Sequence, residues 1–286
     1  MRGKKLDMTS RYFDDLSTSV AFALKEDIGD LDITAQLIDE NKEARAEVIF
    51  RDKAIVCGRP WVDEVFKQVN SDIHIEWQKD EGSKSTEGEL IFRVKGNARS
   101  LLTAERPALN FLQTLSATAT VTSHYAKLIA HTETKLLDTR KTIPGLRLAQ
   151  KYAVVVGGGM NHRIGLYDAF LIKENHILAC GSISEAIIKA RKLFPDRRVE
   201  VEVESMEELD EAISAKPDWI MLDNFSMTNM ARALNMPHTG ILYEASGGIE
   251  QASDLITMAE TGVDFISMGI LTKSVDAVDL SMRFLP

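Results

Sequence analysis

From Lys135 to Ser267 the chain alternates short apolar runs with amphipathic stretches, and this alternation restricts the possible fold more than any other feature. The apolar runs predict strands over Lys135–Asp138, Ala169–Ile172, Val199–Val203, Trp219–Leu222, Ile241–Ala245 and Phe265–Ser267. Between them the apolar spacing is helical over Arg147–Val155, Ser184–Leu193, Met206–Ala215, Met227–Leu234 and Ile249–Thr261. Strands separated by helices pair in parallel through right-handed crossovers. Six such units do not demand a closed eight-fold barrel. They fit an incomplete or modified barrel, with an open doubly wound sheet as the alternative.

The first third follows different rules. Ser10–Glu26 carries apolar residues at helical spacing, and a turn at Asp30–Leu37 leads into a short helix capped by Asp32 or Thr34. Ala44–Phe50, Ala54–Cys57, Ile73–Trp77 and Leu90–Val94 read as strands, Trp61–Val69 as a helix and Asp80–Gly88 as a loop. Ser100–Ala130 reads as one long helical stretch, with Pro107 near a start or at a kink.

Charge narrows the function. The formal net charge is −9, which argues against a nucleic-acid binder, because phosphate backbones need a broad positive surface. Yet Asp138–His176 holds six Lys/Arg against three Asp/Glu, interleaved with glycines. A basic island in an acidic chain suggests a pocket for a polyanionic small molecule. Cys57 and Cys180 are too few for a disulfide framework. The N-terminal stretch lacks the apolar core of a signal peptide, and no apolar run approaches a membrane span. The expectation is a cytoplasmic protein without a membrane or nucleic-acid partner.

In a barrel of this kind chemistry sits at the C-terminal ends of the strands. Those ends deliver Arg140 and Lys141, Lys173 and Glu174, Glu202 and Glu204, Asp223 and Asn224, Glu244 with Ser246-Gly247-Gly248, and Gly269. Glycines between a strand and a helix let backbone N–H groups approach a phosphate. Glu204 and Asp223, on successive strand ends, suit Mg²⁺ or a developing positive charge on a sugar, and Glu202 competes with Glu204 for that role. Arg140, Arg163, Lys141, Lys173 and His162 form a cationic set able to hold carboxylates and phosphates. Lys173, ending an apolar strand, is also a candidate Schiff-base nucleophile, and His162 a candidate acid–base or structural histidine. There is no zinc-type Cys/His spacing, no Walker loop and no GxGxxG.

Long ordered strings in the chain resemble the quinolinate phosphoribosyltransferases. They include EDIGDLDIT (Glu26–Thr34), ERPALNFLQTLSATAT (Glu105–Thr120), LLDTRKTIPGLRLAQKYAV (Leu136–Val154) and GGGMNHRIGLYDAFLIKENHI (Gly157–Ile177), then VEVES, IMLDNF, EASGGI and GVDFISMGILT. The resemblance implies an N-terminal open α/β sandwich over residues 1–116, rejoined by 274–286, and an incomplete TIM-like α/β barrel of six or seven strands over 117–273. It implies transfer of phosphoribosyl from phosphoribosyl pyrophosphate to quinolinate, with loss of CO₂ and with Mg²⁺. It implies a homodimer with shared active sites, or a higher assembly of dimers, in which Arg106 reaches the partner's barrel. Arg106, Arg140, His162, Arg163 and Lys173 would bind quinolinate. Lys141 would stand beside pyrophosphate, Glu204 and Asp223 would serve ribose and metal, and Ser246, Gly247, Gly248 and Gly269 would cradle the 5′-phosphate. Such a reaction needs no covalent enzyme intermediate, which disfavours a Schiff base at Lys173. The rivals are a related phosphoribosyltransferase, a barrel aldolase using Lys173, and a non-catalytic phosphometabolite sensor.

Overall fold

A computed structural model describes residues 11–249 and 251–286. The described chain forms two compact units. One comprises the residues up to Ser123 together with Thr142–Gly158 and Leu271–Pro286; the other comprises His124–Lys141 and Gly159–Ile270. The segment 142–158 therefore belongs with the first unit, although it lies within the span expected to form the barrel.

The first unit is built on an antiparallel sheet in the order β12-β1-β5-β3, from Glu43–Phe50 (β1), His74–Trp77 (β3), Leu90–Asn97 (β5) and Leu280–Phe284 (β12). A small ribbon pairs Ala54–Ile55 (β2) with Lys84–Ser85 (β4), so the expected loop at 80–88 contains a short strand. β1 alternates half-exposed and buried residues, as a sheet with one covered face should. Its inward residues Ala46, Val48 and Phe50 share one apolar core with Trp61, Val65 and Phe66 of helix α2 (Arg59–Val69). Leu101, Leu109, Leu112 and Leu115 of α3 (Ala98–Leu128) join that core.

Helix α1 runs Leu16–Ile28; Ser10, where the sequence suggested a start, lies outside the described residues. Asp32 caps the following 3₁₀ turn through the Ala35 N–H at 3.0 Å and accepts the Thr103 hydroxyl at 2.8 Å. Pro107 sits inside the 31-residue α3 rather than at its start. Helix α4 (Arg147–Val156) ends at Gly157, where a Cβ would lie 2.5 Å from the Ala119 carbonyl; the glycine permits close approach to α3.

The second unit is a parallel sheet in the order β6-β11-β10-β9-β8-β7, an incomplete TIM-like barrel. Its strands are Lys135–Leu137 (β6), Ala169–Ile172 (β7), Arg198–Val203 (β8), Trp219–Asp223 (β9), Leu242–Ser246 (β10) and Phe265–Ser267 (β11). A further parallel bridge, Leu137 to Met160, extends β6 on its open side. Val199, Val201 and Val203 alternate with Glu200, Glu202 and Glu204, so one face of β8 is aliphatic and the other acidic. Helices Ile183–Leu193 (α6), Met206–Ala215 (α7), Met227–Leu234 (α8) and Ala252–Ala259 (α9) lie between strands, three of them N-capped by Ser182, Ser205 and Ser226. Two features depart from the sequence reading. An additional helix α5, Glu174–Cys180, starts directly after Lys173, and α9 begins at Ala252 rather than at Ile249. Ile270–Lys273 (α10) follows Gly269.

Candidate active site

The strand ends of the parallel sheet converge on one another through their registers: Ser246 pairs with Asp223 on one side and with Ser267 on the other. Asp138, one residue beyond β6, is fully buried and organises the neighbouring loop. Its carboxylate accepts the His162 N–H at 3.0 Å and the Asn161 side-chain amide at 2.6 Å. Asp168 does the same one turn later, accepting the Ile164 N–H at 2.7 Å and the Gly165 N–H at 3.0 Å. The loop that carries Arg163 is thus held at both ends by buried or half-buried carboxylates.

Arg163 and Arg140 are both half-buried and stand close enough to repel each other. Burial first, and then the Arg140 charge, pull Arg163 below its ordinary value. Two guanidinium groups gathered in this way favour an anion between them, and bidentate pairing selects carboxylates. Lys141 is exposed, its N–H bonded to the Thr139 hydroxyl oxygen at 3.1 Å. Lys173 is the N-cap of α5 and its ammonium bonds to Glu202. Burial, with Asp223 and Glu174 nearby, raises Glu202 against the opposing pull of Lys173.

Glu202 is therefore the buried carboxylate at the end of β8. Glu204 lies past the strand, exposed, with its N–H donated to Glu208 at 2.7 Å. Carboxylate oxygens of Glu174, Glu202 and Glu204 all lie within 4.8 Å of one another. Lys173 occupies Glu202, leaving Glu174 and Glu204 as exposed donors. Half-buried Asp223 ends β9, and its Oδ2 accepts the Asn224 side-chain amide at 3.0 Å. Hard carboxylate oxygens with open space around them fit Mg²⁺, which takes one or two carboxylates and completes its shell from water and phosphate.

The glycine loop after β10 meets the loop after β9. Asn224 donates its N–H to the Ser246 carbonyl at 2.9 Å. Gly247 has φ +80°, and a Cβ there would lie 2.1 Å from Asn224 Oδ1; Gly248 has φ +68° with open space around it. Bare backbone at these two positions suits a phosphate cradle. Because α9 starts only at Ala252, the cradle is a turn rather than a helix N-terminus. Gly269 is half-buried at the adjoining strand end, directly before Ile270.

His162 is buried with its ring directed into the sheet interior, its Nε2 2.8 Å from Glu200 and 3.2 Å from Glu244. Glu244 was read from the sequence as a strand-end residue, and it is instead fully buried. Glu200 and Asp168 have no assigned role in that reading, and Asp138 enters it only as the end of the first strand. The signal available for Glu200 was its alternation with valines, which turns three glutamates to one face of β8. Arg106 is exposed on α3 in the first unit. That unit holds its own cavity of about 600 Å³, with Asp15, Glu26, Asp27, Phe22 and Phe111 in its wall and no Lys or Arg. Such a lining repels polyanions, so the basic strand ends are the better candidate.

The sequence pattern of the quinolinate phosphoribosyl transferase C-terminal domain matches residues 118–283, and that of the N-terminal domain matches residues 32–116. The chain is 42% identical to a probable carboxylating nicotinate-nucleotide pyrophosphorylase of Bacillus subtilis, covering 90% of this chain and 89% of that protein. It is 38% identical to the carboxylating nicotinate-nucleotide pyrophosphorylase of Mycobacterium leprae, covering 94% and 97%. The solved nicotinate-nucleotide pyrophosphorylase of Francisella tularensis superposes with a TM-score of 0.91 at 49% identity, covering 95% of this chain and 96% of that one.

Proposed function

The chain belongs to the quinolinate phosphoribosyltransferase family, and from that premise we propose which of its residues perform the transfer. The reaction moves phosphoribosyl from phosphoribosyl pyrophosphate to the quinolinate nitrogen and releases pyrophosphate and CO₂, giving nicotinate mononucleotide. The protein acts at the stage of NAD synthesis where a pyridine dicarboxylate becomes a nucleotide.

Arg140 and Arg163 hold the quinolinate carboxylates. The observation that carries this assignment is the gathering of two half-buried guanidinium groups at one set of strand ends, which bidentate carboxylates would pair. Lys173, tethered by Glu202, adds a third cation at the same strand ends. Lys141, exposed and beside these groups in sequence, faces the pyrophosphate and stabilises its leaving charge. Ser246, Gly247, Gly248 and Gly269 cradle the 5′-phosphate through backbone N–H groups. Glu202 and Asp223 set negative charge against the cationic ribose of the transition state. His162 supports the quinolinate site from below. Asp223 and Glu204 would hold Mg²⁺, directly or through water, and the ion would supply charge neutralisation on the pyrophosphate.

As the adjacent carboxylate leaves as CO₂, the bonding pair stays on the ring carbon, where the charge of the alkylated nitrogen stabilises it, and that carbon then takes a proton from water. The protein's part is to orient that carboxylate and to desolvate it. No step calls on Lys173 as a nucleophile, and its bond to Glu202 keeps the side chain occupied.

The assembly we propose is a homodimer, or dimers of dimers, in which Arg106 completes the partner's site. Its exposure on α3 supports the role, because an arginine unengaged on its own subunit's surface is available to another. The described helices include none long and apolar enough to cross a membrane, and we place the enzyme in the cytoplasm.

Arg140→Ala and Arg163→Ala test the core of the assignment. Each is expected to lower kcat/KM for quinolinate well beyond ~10-fold, since a charge-assisted pair contributes a few kcal/mol. Near-normal kinetics in both would overturn it. Mixed dimers of Arg106→Ala and Lys173→Ala subunits are expected to recover part of the activity, and no recovery in verified heterodimers would exclude shared sites.

A further inference from the structure

The floor beneath the substrate cations is charged rather than apolar. Glu200 on β8 and Glu244 on β10 are both fully buried, and His162 Nε2 lies between them, 2.8 Å from one and 3.2 Å from the other. Arg198 adds a guanidinium 3.5 Å from Glu200. That guanidinium stacks 3.8 Å over the ring of Trp219, which stacks in turn on Phe265 at 4.1 Å. Oxygens of the two fully buried carboxyl groups lie within 4.8 Å of each other. Like charges so close in a dry site resist joint ionisation, so the floor keeps one additional proton.

The hydrogen bonds constrain where the protons sit. His162 Nδ1 accepts the Arg163 N–H at 2.7 Å, so that nitrogen is bare and the ring's own proton lies on Nε2, within ion-pair distance of both carboxyl groups. The spacing of His162, Glu200 and Glu244 is one that a metal ion can use, but Nε2 carries a proton where a metal would bind. Burial, and then the charge of Glu200, raise Glu244 above the ordinary carboxyl range. Burial opposes charge on His162 as well, but its bonds to Glu200 and Glu244 outweigh that and push it up to about 9. His162 and Glu244 titrate together and share the additional proton. With Nδ1 already accepting, the carboxyl of Glu244 is the better location.

We propose that Glu200 and Glu244 are positioning residues for the reaction: with Arg198 they hold His162 by Nε2, and His162 holds by Nδ1 the main chain that carries Arg163, in a floor that keeps one shared proton. The inference rests on Arg163 as a quinolinate ligand. Both nitrogens of His162 are engaged within the protein, so the ring acts through Arg163 rather than on the substrate. Loss of the shared proton adds one negative charge under a site for a dianion, and quinolinate then binds less tightly. The charged groups around this floor are Arg198 and Glu200 on β8, Arg163 with Arg140 and Asp168 beside it in the loops, and buried Asp138, which accepts the His162 N–H at 3.0 Å. Ser267 of β11 is near Glu244 and does not titrate at these pH values.

Steady-state kinetics of the full-length enzyme from pH 7 to 10 test this, with KM for quinolinate and kcat read separately. In the wild type KM is expected to rise at alkaline pH, by at most about tenfold per pH unit for one linked proton, with a smaller change in kcat. Glu244→Gln keeps the hydrogen bonds and has no proton to lose. Its KM is expected to stay within about 3-fold of wild type at pH 7.5 and to lack the alkaline rise. Glu244→Leu removes the acceptor and is expected to raise KM at every pH. A wild-type alkaline rise in Glu244→Gln, or a wild-type KM in Glu244→Leu, overturns the proposal. Should Glu244→Leu not fold, nitrogen NMR of histidine-labelled wild type decides. A bare Nδ1 and a protonated Nε2 at His162 at pH 7.5 are expected, and protons on both nitrogens would break the link to Arg163. An unchanged quinolinate KM in Arg163→Ala would instead overturn the ligand assignment beneath the proposal.

Discussion

The two sheets of this protein solve burial in opposite ways. The antiparallel sheet closes over Phe50, Trp61, Phe66, Phe92 and a ladder of leucines, with one apolar cluster behind it. The parallel sheet buries aliphatic residues on the face toward its helices, while its other face holds Glu200, Glu202 and Glu244, balanced by Arg198, His162 and Lys173. An apolar interior gains stability with every group it removes from water. A charge-balanced interior gains little, because desolvation offsets most of the attraction. What it provides is fixed dipoles and ions under the strand ends, where an anionic substrate must be oriented. Stability is concentrated in one unit and electrostatic organisation in the other.

Substitutions can break that division. The largest effect is expected from Trp61→Ala, which empties a fully buried site at a cost of about 3–5 kcal/mol in denaturant unfolding. Activity per folded molecule should be unchanged, and a large fall in kcat would show that the apolar core also shapes the site. Lys141→Ala should do the reverse. Its kcat is expected to fall about 10²–10³-fold, the scale for losing one group that stabilises developing charge. The exposed side chain leaves unfolding within about 0.5 kcal/mol. Gly247→Ala sits between these cases. A Cβ forced against Asn224 at positive φ should cost about 1–3 kcal/mol of strain and raise KM for phosphoribosyl pyrophosphate more than that for quinolinate. The smallest effect is expected from Ser182→Ala, which removes the cap accepting the Glu185 N–H at 3.1 Å. It should lower stability by about 1 kcal/mol without altering the kinetics.

Much of this architecture was legible before any coordinates. The parallel strands were readable because each is a continuous apolar run bounded by polar ends, and their order of residues at the C-terminal ends pointed to the basic site. The floor was not readable. Glu200 and Glu244 have the look of ordinary strand polarity, and only pairing across β8, β9 and β10 shows that both turn toward one histidine. The helix after Lys173 was missed because seven residues carry too little periodicity to register, and none of its residues is buried. The start of α9 was placed too early because the apolar Ile249 imitates a first helical turn, although Gln251 provides the cap. The grouping of 142–158 with the antiparallel sheet depends on contacts such as the Gln150 amide on the Thr272 carbonyl at 2.9 Å, which no local pattern announces.

The outer edge of β1 pairs with β12, Ala46 lying opposite Phe284 and Phe50 opposite Leu280. During synthesis that edge emerges early and its partner emerges only after every barrel strand has left the ribosome. Until then the nascent first unit carries an uncovered row of amide and carbonyl groups, open to mispairing with neighbouring chains. Shielding of that strand is thus a matter of timing, and slowed translation between the barrel and β12 would lengthen its exposure.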